Sequence, residues 1–119
     1  MTKTECAIYD LFKELGVPAH QNGYDYAADA VVRAYTGEYG VPDSITATSM
    51  YIDIAKKFNA TPSSVERCMR HAIESAFEHG SPAVLYKVFG NSINASKGKP
   101  TNKMFVFQCA REIERRLSA

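Results

Sequence analysis

Between Pro62 and Ala72 the chain reads PSSVERCMRHA, which gathers Ser63, Ser64, Glu66, Arg67, Arg70 and His71 into nine residues. At about 100° per residue along a helix, Ser63, Arg67, Arg70, His71 and Glu74 fall on one side, with Ser64 and Glu66 at its flanks. Val65, Met69, Ala72, Ile73 and Ala76 fall on the other, with Cys68 at the edge. A guanidinium is a flat fork of donors that matches guanine O6 and N7, and a carboxylate accepts from cytosine N4. Hydroxyls, arginine and histidine also reach phosphate. The bland alternative is a solvated stripe held by Glu66–Arg70 and Arg70–Glu74 pairs at i,i+4 spacing. Two features favour base reading. The basic and hydroxyl groups crowd the first turns, the end that a recognition helix presents to base edges. A non-specific binder also has little use for Glu66 beside phosphates.

No other chemistry competes well. Cys68 and His71 are spaced like half of a metal motif, but no second pair stands at ligand spacing, so no metal is expected. There is no arguable Ser/His/Asp set, phosphate-cradling glycine loop or apolar pair of carboxylates, and the expectation is a non-enzyme without a cofactor. His20 follows Pro18 in a loop, and His79 falls in a helix's last turn, where a cation complements the dipole. The three cysteines, Cys6, Cys68 and Cys109, are too few and too dispersed for a disulfide framework. Each is expected as a small core residue in a helix.

The net charge of +1 hides a gradient. Residues 1–50 carry three Lys/Arg and seven Asp/Glu, or −4, whereas residues 51–119 carry eleven and six, or +5. The second half is therefore the one suited to a polyanion. No apolar run approaches membrane-spanning length, and MTKTECAIYD lacks the basic and apolar regions of a signal peptide. These features point to a cytoplasmic, nucleoid-associated protein with no membrane partner. A chain of 119 residues suits a single domain over 1–119.

The elements that must position these residues read as helices, and the fold class is all-α: a compact bundle of about six. The spacing of Ile8, Leu11, Phe12 and Leu15 predicts a helix from about Thr4 to Leu15, stopped by Gly16 and Pro18. HQNGY reads as a turn. A second helix over about Tyr24–Thr36 would bury Tyr24, Ala27, Ala28, Val31, Val32 and Tyr35. TGEYGVPDS is a loop, and a third helix lies within Ile45–Phe58. After the Pro62–His79 helix, SPAVLYKVFG gives a short fifth, with Ser81 as cap and Gly90 closing it. The last runs from about Lys103 to Leu117, with Met104, Phe107, Ala110, Ile113 and Leu117 at core spacing.

The third and fourth helices are joined tightly. Small Ala55 allows a close crossing, Asn59 four residues later tolerates a left-handed turn, and β-branched Val65 stands ten after Ala55. Thr61 can cap the second helix while Pro62 takes its first position. This is the spacing of a helix-turn-helix.

The segments ELGVPAHQNGYDYAADAVVRAY, YIDIAKKFNATPSSVERCMRHAIESAF, LYKVFG and KGKPTN resemble the C-terminal effector domain of the sporulation response regulator, stage 0 sporulation protein A, from about Leu15 to Leu117. The resemblance implies a six-helix bundle and a transcription factor that binds a short G/C-containing box in double-stranded DNA. Glu66, Arg67, His71, Ser63 and, more loosely, Arg70 match its DNA-contacting positions. Ser64 departs from it, standing where the family usually has a base-reading arginine in SRVER. The family protein also has an N-terminal phosphorylated receiver domain. None fits before Met1, so the expectation is an effector domain alone, whether excised or a stand-alone relative.

KGKPTNK places Lys97, Lys99 and Lys103 beside a helix start, where they could hold phosphates. The resemblance further implies contact with RNA polymerase sigma factor around Phe89–Ala95, including Phe89, Ser92 and Ala95. It also implies a homodimer on tandem sites through the last helix. The rival function is a protein-interaction module of the same fold, docking on RNA polymerase or a full-length relative without useful DNA affinity.

Overall fold

The structure, a computed structural model, describes residues 1–90 and 98–118. Among these residues it contains six α-helices, one 3-10 turn and no strand. The helices are α1 (Lys3–Leu15), α2 (Asn22–Tyr35), α3 (Ala47–Phe58), α4 (Pro62–His79), α5 (Pro82–Phe89) and α6 (Asn102–Ser118).

Local chemistry explains where they begin and end. Thr2 and Glu5 form a capping box that starts α1 slightly before the predicted Thr4, and Gly16 ends it in the left-handed conformation at φ 82°. The predicted turn HQNGY is shorter than expected, because α2 already starts at Asn22 and includes Gly23. A Cβ on Gly23 would lie 2.1 Å from the Cys68 carbonyl oxygen, so the missing side chain lets α2 press against the backbone of α4. The buried face of α2 is rotated accordingly. Tyr26, Ala27, Ala30 and Val31 are buried, while Tyr24, Ala28, Val32 and Tyr35 are only half-buried. The TGEYGVPDS loop is anchored by Tyr39, whose ring is buried 6.4 Å from that of Phe107, and continues into a 3-10 turn at Pro42–Ser44. Thr46 then caps α3, its hydroxyl accepting from the Ser49 N–H at 3.1 Å, which fixes where the helix begins within the predicted Ile45–Phe58.

The core runs between the helices around the fully buried Phe12, Phe89 and Phe105 rings, the last two stacked at 5.3 Å. In α6 the buried set is Phe105, Val106, Phe107, Cys109, Ala110 and Ile113. Predicted core residues Met104 and Leu117 differ: the former is half-buried and the latter 37% exposed near the helix end. The cysteines also diverge from a common core role. Cys109 is buried, with its thiol pushed well above the ordinary range by burial, Cys68 is half-buried and Cys6 is exposed. Among the described residues no helix is long and apolar enough to cross a membrane.

Candidate nucleic-acid interface

Three residues, Asn59, Ala60 and Thr61, separate α3 from α4. Asn59 adopts φ 54° and ψ 48°, the left-handed conformation the spacing requires, and its N–H returns to the Ala55 carbonyl. The Thr61 hydroxyl accepts from the Ser64 N–H at 3.1 Å and Pro62 opens the helix. This connection is consistent with a helix-turn-helix. Val65, Met69, Ala72, Ile73 and Ala76 fix the inner face of α4 by burial. The rotation of α4 about its axis is thereby set, and the opposite face must point outward.

On that outward face Ser63, Arg67 and His71 are exposed, and Ser64, Glu66 and Arg70 are half-buried. Thr61 and Pro62 are exposed as well, so the beginning of α4 is open to solvent. The charged groups are not equivalent. Arg70 Nε donates to Glu66 Oε2 at 3.0 Å, and its Nη1 lies 3.6 Å from Glu74 Oε1. Both i,i+4 pairs therefore form. The bond that Arg70 donates to the Glu66 carboxylate holds its guanidinium above the ordinary pKa. Arg67, by contrast, has no hydrogen-bond or ion-pair partner among the described residues.

The basic loop divides by role. Lys99 Nζ is 3.0 Å from Glu74 Oε1, which keeps that carboxyl below the ordinary range. Lys103 turns inward: its ammonium donates to the carbonyls of Pro42 at 2.9 Å and Ile45 at 3.0 Å, tying α6 to the segment before α3. A lysine so engaged has fewer donors left for a phosphate. Lys97 lies outside the described residues, as do Ser92 and Ala95. Phe89, expected to touch a sigma factor, is a core ring at 0% exposure and does not reach the surface.

Two residues that the sequence reading did not single out brace the site. The Asn102 amide donates to Tyr51 Oη at 3.1 Å and to the Glu66 carbonyl at 3.2 Å. One buried side chain at the start of α6 thus joins α3, α4 and α6 at the Glu66 backbone. In the sequence Asn102 looks like any polar loop residue, and no local signal marks its two partners.

An all-helical domain with an exposed basic and hydroxyl-bearing helix held over a tight turn has the architecture expected of a transcription-factor effector domain. The family described as the sporulation initiation factor Spo0A C terminal matches residues 8–113, nearly the whole chain. The chain belongs to this family, a DNA-binding C-terminal domain of a sporulation regulator and not an enzyme family.

Proposed function

We propose that this protein is a sequence-specific transcription regulator that inserts the first turns of α4 into the major groove and reads a short G/C-containing box. Arg67 reads guanine and Glu66 accepts from cytosine, while Ser63, Ser64, Arg70, His71 and Lys99 contact phosphates or base edges. The observation that carries this reading is the state of Arg67: exposed, without a partner among the described residues, and projecting from a helix whose rotation is fixed by its buried face. No carboxylate stands three or four residues from Arg67, so its guanidinium stays available, whereas Arg70 has Glu66 and Glu74 at that spacing. Tandem boxes occupied by two copies belong to the same proposal.

Selection of duplexes from a random pool tests it. The pool is expected to converge on a short box containing G·C pairs, with binding that falls steeply as salt rises. Equal affinity for the selected and scrambled duplexes would refute sequence reading. Binding to sigma factor with no duplex affinity at low salt would favour the protein-interaction module instead.

A further inference from the structure

Glu74 is a misplaced residue for a helix that meets DNA. It lies seven residues after Arg67, about 10 Å further along the same face of α4, where its carboxylate would approach a passing phosphate. Its surroundings offer a reason for its presence. A single oxygen, Oε1, lies 3.0 Å from Lys99 Nζ and 3.6 Å from Arg70 Nη1. These are two of the cations assigned to phosphate contact above. They come from different parts of the fold, Arg70 from α4 itself and Lys99 from the segment before α6, and Glu74 draws both to one point.

We propose that Glu74 is an internal competitor for phosphate, holding Arg70 and Lys99 so that sequence-independent binding to the DNA backbone is suppressed. The proposal rests on the DNA-binding reading. A duplex with the wrong bases can offer this face only phosphates. Each phosphate must then withdraw a cation from Glu74 and tolerate the carboxylate left behind. Arg67 is outside this competition, because the geometry leaves it with no carboxylate partner among the described residues. Base reading through Arg67 therefore escapes the penalty that Glu74 imposes on backbone contacts.

The test measures fluorescence anisotropy of a labelled scrambled duplex and of the selected box across a salt series, using wild type, Glu74→Gln and Glu78→Gln. Glu78 is exposed on the last turn of the same helix, and its substitution changes net charge equally. Glu74→Gln is expected to bind the scrambled duplex about 3- to 10-fold more tightly near 0.1 M salt. The slope of log affinity against log salt should steepen by about one, as Lys99 is released to phosphate while Arg70 keeps its bond to Glu66. Glu78→Gln should change either quantity little. Unchanged scrambled-duplex affinity and slope in Glu74→Gln, with wild type still binding its box, would overturn this inference alone. An equal gain in Glu78→Gln would also overturn it, reducing the effect to net charge. Failure of every protein to bind any duplex at low salt would overturn the DNA-binding reading together with it.

Discussion

Arg67 and Arg70 stand three residues apart on one helix, and the structure gives them different surroundings. Arg70 is engaged by Glu66 and Glu74, whereas Arg67 has no ion-pair partner among the described residues. Arg67→Ala is expected to weaken binding to the selected box by about 1–3 kcal/mol while leaving scrambled-duplex binding nearly unchanged. Arg70→Ala, which removes a cation already held by Glu66 and Glu74, should instead cause a smaller loss of the same sign for both duplexes and flatten the salt dependence by less than about one. Gel-shift titrations of the two variants against both duplexes distinguish these outcomes. Ser64 stands on the flank of the same turn, with Oγ 4.0 Å from Cys68 Sγ. Its short hydroxyl cannot make the bidentate guanine contact of an arginine. Ser64→Arg is expected to shift the selected box toward an additional G·C pair, detectable by repeating the selection. An unchanged box would show that position 64 does not face a base.

At the scale of elements, the joint between α3 and α4 was legible because each of its demands falls on a residue type. The left-handed turn calls for Asn59, the cap for Thr61, the first helical position for Pro62 and the inward face for Val65. Asn59→Ala is expected to cost about 1 kcal/mol by forcing an alanine to φ 54°, while Asn59→Gly should remain close to wild type. Urea denaturation of both variants checks the pair, and equal losses would contradict a backbone cause. The periodic cores of α1 and α4 could be read for the same local reason. What could not be read depends on contacts distant in sequence. Gly23 looked like a turn residue, yet it is a point of close approach between α2 and α4, visible only once Cys68 lies above it. Gly23→Ala should therefore lower stability by about 1–3 kcal/mol or more, since the clashing atom is backbone that cannot rotate aside. The Asn102–Tyr51–Glu66 bridge and the inward turn of Lys103 likewise join residues far apart in the chain. Within the candidate site, the α4 residues were therefore identifiable from periodicity, whereas the bracing beneath them was not. Phe89 was named for a partner contact only through the resemblance; it stands four residues after Leu85, and both are buried on the inner face of α5.

Over the whole molecule, the opposed charges of the two halves are partly matched within the fold. Glu14 on α1 takes a two-pronged bond from Arg116 on α6, both contacts at 2.9 Å, and Asp29 on α2 takes Lys57 of α3 at 2.6 Å. Arg115 and Arg116 also grip Glu112 within α6. Hydrogen bonds from Arg115 and Arg116, with their positive charge, hold the Glu112 carboxyl at about 2, against an ordinary 4.5. The unfolded chain therefore takes up this proton first. The stability from the cluster is complete above about pH 5 and is lost as pH falls through about 2, amounting to at most about 3 kcal/mol. Thermal melts between pH 5 and 2 should show this loss in wild type and a shallower one in Glu112→Gln. These pairs lie within α6 and at the α1–α6 and α2–α3 contacts, whereas the α4 face is balanced by Glu66 and Glu74 with Arg70 and, from outside the helix, Lys99. The most direct measurement of that face is dimethyl sulfate protection of guanine N7 in the selected box, because N7 is exposed in the major groove. Wild-type protein is expected to protect at least one guanine, and Arg67→Ala to lose that protection while still occupying the duplex at higher concentration. Protection that persists unchanged in Arg67→Ala, or a complex in which no guanine N7 is protected, would contradict entry of the Arg67 turn into the groove.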